Sequence, residues 1–202
     1  GSTEDGIELT FGVNHLGHFA LVTGVLGQLA RPARIIVVSS DTHDPSRAAG
    51  MPAPRYESAE ALAHPPANDS AVDGRRRYTT SKLCNVLFTY ELNRRLQGED
   101  VTVNAFNPGL MPGSGLARDY GGLQRFAWRF VLPALRVLPQ VNSTATSGTR
   151  LAALAADERY AAISGVYFDG LKQIRSSEDS YDEAKARDLW ETSERLIDGG
   201  EM

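Results

Sequence analysis

The chain has almost no cysteine. Cys84 is the only one in 202 residues, so no disulfide can form within it. That fits a reducing cytoplasm as the expected location. Positive charge is not in excess either: 21 Lys and Arg stand against 25 Asp and Glu, a formal net charge of -4. This removes the reason to expect binding to nucleic acid or to an anionic membrane. Neither a secretory leader nor an apolar run long enough to cross a bilayer can be read in the sequence. The N-x-S/T triplets at Asn68 and Asn142 are then read as chance. Metal-ligand spacing is also lacking. His15 and His18 would share a helix face, but no carboxylate or cysteine accompanies them, so no metal is expected. Nothing repeats and no clear boundary divides the chain, so residues 1–202 are read as one domain.

What is present is an alternation of helical and strand patterns. In residues 8–29 the apolar side chains Leu9, Val13, Leu16 and Ala20 have helical spacing. Pro32 ends that helix, and Ile35 to Val38 form a short β-branched run, the pattern of a strand buried on both faces in a parallel sheet. Residues 41–77 are polar and without a period, a long excursion of the kind that often carries function. From residue 78 to 97 helical spacing returns, with Leu83, Leu87 and Tyr90 on one face. "VTVNAFN" reads as a second strand stopped by Pro108-Gly109, and "SGVYFDG" as a third. Helices are expected over 144–156 and over "SYDEAKARDLWETSERLI". The alternation implies an α/β fold with parallel strands.

Within "RRRYTTSKLCNVLF", Tyr78 and Lys82 stand four apart. In a helix they share one face. An ammonium beside a phenol favours the phenolate and lowers its pKa from about 10, so the phenol can exchange a proton near neutral pH. Alone, the pair is most simply an incidental feature of an amphipathic surface. Three further motifs flank it in order: "NHLGHF" with Asn14, "IIVVSS" with Ser40 at a strand end, and "NPG" with Pro108 and Gly109. Together the four resemble the short-chain dehydrogenase/reductase family over essentially the whole chain.

The resemblance implies a Rossmann-like sheet and an NAD(P)-dependent oxidoreductase, with NADP slightly preferred over NAD. Tyr78 would be the general acid/base. Lys82 would tune it and hold the nicotinamide ribose. Ser40, with Ser39 as its rival, would hydrogen-bond the substrate oxygen, and Asn14 would complete a water-mediated relay to Lys82. Pro108 and Gly109 would let the backbone approach the nicotinamide, and Ser114 would contact its carboxamide or the phosphates. The helices at 9–29 and 78–97 are those the family uses to pair two copies, so a homo-oligomer is expected. Arg75 to Arg77 are read as a solvated loop, and Cys84 as packing.

The long insert between Ser40 and Tyr78 resembles the retinol dehydrogenases and protochlorophyllide reductases, and the C-terminal pattern the latter. Leu110 stands where the light-dependent members carry cysteine, which argues for a dark reductase, with a light-dependent protochlorophyllide reductase as the alternative. The segment Phe126 to Leu138, with Trp128 and Phe130, falls where the family places its substrate lid, and an apolar lid implies a bulky apolar substrate. The family's N-terminal T-G-x-x-x-G-x-G turn and N-N-A-G are absent. Three readings follow: a portion of a longer enzyme, a chain completed by strands from another, or a non-catalytic binding or assembly module.

Overall fold

The computed structural model describes residues 1–47, 50–66, 71–110 and 142–199. Helix α1 spans Leu9–Gln28. Strand β1 follows at Ala33–Val38 and short helix α2 at Ala59–Ala63. Helix α3 runs over Ala71–Arg95 and strand β2 over Val101–Asn107. Helix α4 is Thr144–Ala156, strands β3 and β4 are Tyr167–Asp169 and Lys172–Ile174, and helix α5 is Glu183–Asp198. The sheet order is β1-β2-β3-β4. β1, β2 and β3 are parallel, and β4 pairs antiparallel with β3.

The elements pack in three layers. Phe19 of α1, Phe88 and Leu92 of α3 and Trp190 of α5 cover Val37, Val101 and Val103 on one sheet face. On the other face Phe106 and Phe168 pack against Leu154 of α4. Alternate strand side chains point to opposite faces, which is why one strand feeds two cores. Arg34 Nη1 donates to the carbonyl of Asp157 at 2.7 Å, satisfying the backbone just past α4.

Five expectations change. α1 buries only part of the stripe read from its spacing: Leu16 is buried and Ala20 half-buried, but Leu9 and Val13 are 47% and 58% exposed, and Phe11, His15 and Phe19 face the core beside Leu16. The reason is a π turn at Gly12–Leu16, closed by a bond from the Gly17 N–H to the Gly12 carbonyl, which rotates the helix relative to a regular 3.6 repeat. This helix is also long and apolar enough to span a membrane by length and composition, contrary to the sequence reading. One side of it is nevertheless committed to the core, where His15 Nε2 lies 3.0 Å from Ser193 Oγ. β1 is not buried on both faces: Val38 is 40% exposed, because β1 is an edge strand. A fourth strand, β4, went unread because its three residues, Lys172, Gln173 and Ile174, carry no β-branched run. The region 41–77 holds α2 and the first turns of α3, which begins seven residues before Tyr78.

Candidate active site

The carboxyl ends of β1 and β2 and the first half of α3 converge. Ser39 and Ser40 follow β1. Ser39 is buried, and its Oγ donates to the Lys82 carbonyl at 2.8 Å. Asn85 Nδ2 donates to the Val38 carbonyl at 3.0 Å. These two bonds fix the strand end against α3. Ser40 is half-buried; its Oγ accepts from the Thr42 N–H and donates to Asp41 Oδ1 at 3.1 Å. Ser39 therefore serves as an anchor, and Ser40 is the serine with a partly exposed hydroxyl.

From Thr79 to Leu92 every side chain of α3 is buried except Lys82. Tyr78, directly before this stretch, is half-buried as well. Lys82 Nζ sits 5.6 Å from the Tyr78 ring centroid. Burial lowers the Lys82 pKa to about 8, since a low-dielectric setting disfavours the ammonium. Asn14 lies in the π turn of α1. Its Nδ2 donates to Ser81 Oγ at 3.0 Å, and Ser81 Oγ donates to the Tyr78 carbonyl at 2.7 Å. The Asn14 side chain thus braces the turn of α3 that bears both Tyr78 and Lys82. The Asn14 carbonyl lies 2.9 Å from His18 Nδ1, which uses that ring locally.

At the end of β2, Gly109 has φ of 77°, a conformation costly for any residue with a Cβ. Its N–H donates to Asn107 Oδ1 at 3.1 Å. The Pro108 carbonyl accepts from Asn142 Nδ2 at 3.0 Å and from Ser147 Oγ at 2.7 Å. Ser114, Trp128, Phe130 and the expected lid lie outside the described residues. Cys84 is fully buried among Phe11, Leu83 and Leu189, and burial pushes its thiol pKa up. Among the described residues no group of three or more His, Cys, Asp or Glu could hold a metal ion.

Several residues of this region were not legible in the sequence. His43 is fully buried, with Nε2 3.1 Å from the Ser177 amide nitrogen and Nδ1 2.6 Å from the Ser40 carbonyl. An amide N–H only donates, so Nε2 accepts and the ring proton sits on Nδ1, donating to Ser40. Burial lowers the His43 pKa, and the ring is neutral. His43 thereby ties the turn carrying Ser40 to the segment after β4. Asn107 Nδ2 donates to Asp169 Oδ1 at 2.9 Å, and Arg47 Nη2 donates to Asp169 Oδ2 at 2.6 Å. This chain lines a cleft of about 350 Å³ at the ends of β2 and β3. A hollow of about 460 Å³ beside Tyr90 and Tyr181 is lined by none of the expected catalytic residues.

The chain is 40% identical to human retinol dehydrogenase 13, over 97% of this chain and 56% of that protein. It is 36% identical to the human WW domain-containing oxidoreductase, over 96% of this chain and 45% of the other. The chain spans about half the length of the curated relatives it matches. No family profile matches it. A crystal structure of an uncharacterized protein from Mycobacterium paratuberculosis superposes with a TM-score of 0.63 at 29% identity, over 97% of this chain and 61% of that one. A blue fluorescent protein from a metagenomic library, solved with NADPH, shares the fold at a TM-score of 0.55 and 20% identity, over 84% of this chain and 57% of that one.

Proposed function

Because this chain belongs to the short-chain dehydrogenase/reductase family, we propose that it carries the proton-transfer machinery of a nicotinamide-dependent oxidoreductase acting on an alcohol or carbonyl. The supporting observation is the opening in α3 between Tyr78 and Leu92: Tyr78 and Lys82 are the partly exposed side chains of a stretch that is otherwise enclosed, beside the ends of β1 and β2. The Cβ-free backbone at Gly109 and the half-buried ammonium of Lys82 fit a nicotinamide and its ribose. When bound, that cofactor supplies or accepts the hydride.

The roles of the chain's own residues follow. Tyr78 Oη gives its proton to the substrate oxygen in reduction and removes it in oxidation. Lys82, held close and poorly solvated, favours the phenolate form of Tyr78. Ser40 turns its O–H from Asp41 to the substrate oxygen as negative charge develops there. Asn14 keeps the Tyr78–Lys82 turn in place through Ser81. NADP is the cofactor of first choice. The substrate is bulky and largely apolar, and a retinoid is the first class to try given the relatives' names. Two copies would pair through the exposed face of α1, with Leu9, Val13, Leu21 and Val25, since α3 is enclosed.

The test is calorimetry of NADPH and NADH with the 202-residue chain, followed by turnover of retinal. Micromolar binding with turnover is expected. Tyr78→Phe should keep the binding and lose at least 99% of kcat, on the order expected for a lost general acid. Binding without turnover of any alcohol or carbonyl would favour the assembly-module reading, and Tyr78→Phe with wild-type kcat would remove Tyr78 from the chemistry.

A further inference from the structure

The cleft at the ends of β2 and β3 contains a cation without a use. Arg150, on α4, is half-buried and has no hydrogen-bond or ion-pair partner among the described residues. A semi-enclosed guanidinium with no partner forgoes the charge-assisted bonds it could make. Its position is set by Gly170 in the β3–β4 turn. Gly170 has φ of 61°, and a Cβ there would lie 3.2 Å from Arg150 Nη1. The guanidinium therefore lies close over a bare backbone, where a side chain would displace it.

The other charges of the cleft define what Arg150 can receive. Asp169 is already neutralised, with one oxygen on Asn107 and the other on Arg47. Asp41 accepts from Ser40. Lys172 lines the cleft and, like Arg150, makes no ion pair among the described residues. Three cations against two carboxylates leave a surplus of one positive charge. That surplus suits a monoanion, whereas a phosphate dianion would face Asp41 and Asp169. The flat fork of an arginine matches a carboxylate. Leu171, 38% exposed, gives the same cleft an apolar wall.

We propose that Arg150, aided by Lys172, forms a binding site for a carboxylate group carried on an apolar chain. Gly109 and Asp41, the neighbour of Ser40, line the same cleft, while Asn14, Ser40, Tyr78 and Lys82 do not. As a statement about the substrate, this rests on the oxidoreductase reading; as a binding site, it does not.

The test uses octanoate as the probe, titrated into the 202-residue chain by calorimetry at low ionic strength, with octanol and inorganic phosphate as comparisons. Octanoate should bind one to one, and octanol and phosphate at least about tenfold more weakly. Arg150→Gln should weaken octanoate about tenfold or more, in line with loss of a charge-assisted contact, with an unchanged melting temperature. Gly170→Ala should weaken it too by displacing the guanidinium. Octanoate binding that is absent or indifferent to Arg150→Gln overturns the site. Phosphate binding as tightly as octanoate overturns the carboxylate assignment. Arg150-dependent octanoate binding in a chain that takes no nicotinamide would uphold the site while withdrawing its link to a substrate turned over by this chain.

Discussion

Lys82 shows how one residue can be costly to the fold and still be kept. An ammonium with a pKa near 8 is less stable in the folded chain than in the unfolded one, where it titrates near 10.5. Between those values the unfolded state binds more protons, so stability rises with pH there, and below about 8 the whole cost is present. Lys82→Met should therefore raise the melting temperature at pH 7 by several degrees, a gain on the order of 1–3 kcal/mol. The gain should shrink as the pH rises from about 8 and be gone above about 10.5. Thermal melts of both proteins at the two pH values decide this, and a gap that does not close would place the cost in shape rather than charge. The closeness of Tyr78 and Lys82 was legible because residues four apart share one face of a helix, and Lys82 Nζ does sit 5.6 Å from the Tyr78 ring. His43, Asn107 and Asp169 were not, because each partner lies far along the chain: His43 meets Ser177, and Asn107 meets Asp169. The sequence holds no local sign of such pairs beyond a polar residue near a strand end.

At the scale of elements, α3 is the axle of the molecule. It is enclosed although it carries Thr79, Thr80, Ser81 and Thr89. Each hydroxyl returns to a carbonyl three or four residues back, so none needs water. Periodicity located this helix but not its start, since residues before Tyr78 are polar and gave no apolar stripe. For α1, periodicity found Leu16 but misplaced Leu9 and Val13, because an extra residue in one turn is invisible to a repeat count. One carboxylate takes two bonds at the start of α2: Asp188 Oδ2 accepts from Tyr56 Oη at 2.7 Å and from the Ala59 N–H at 2.8 Å. Asp188→Ala leaves both donors without a partner and should cost about 2–3 kcal/mol in urea unfolding. Asp188→Asn, which keeps an acceptor, should recover part of that. Equal losses in the two variants would mean that the carboxylate's charge, and not its bonds, holds α2.

For the whole molecule, acid is the expected weakness. His15 is 1% exposed between Phe11, Phe19 and Phe88. Burial first, and the charge of His18 second, lower its pKa to about 3. Unfolded histidine takes a proton near 6.5, so the stability this ring contributes is complete above that pH and lost as pH falls toward 3. By pH 5 the loss is about 2 kcal/mol. His43, also held neutral, acts in the same direction. His15→Phe should narrow the drop in melting temperature between pH 7.5 and pH 5. An equal drop in both proteins would place the acid sensitivity elsewhere. The order of elements and three of the four strands could be read from the sequence, because hydrophobic runs and Gly-Pro stops are local. The antiparallel β4 and the cleft could not, since both arise only when β3 is laid beside β2.

One small fastening has a wider meaning. The Asn142 N–H donates to the Leu110 carbonyl at 2.8 Å, and its side chain holds Pro108. Leu110 and Asn142 are thereby joined just past the end of β2. Lengthening a segment whose ends are already joined costs little, about 0.6 kcal/mol per doubling. Descendants of this sequence can therefore exchange the stretch between Leu110 and Asn142 wholesale, acquiring a taste for new molecules while the sheet is inherited unchanged.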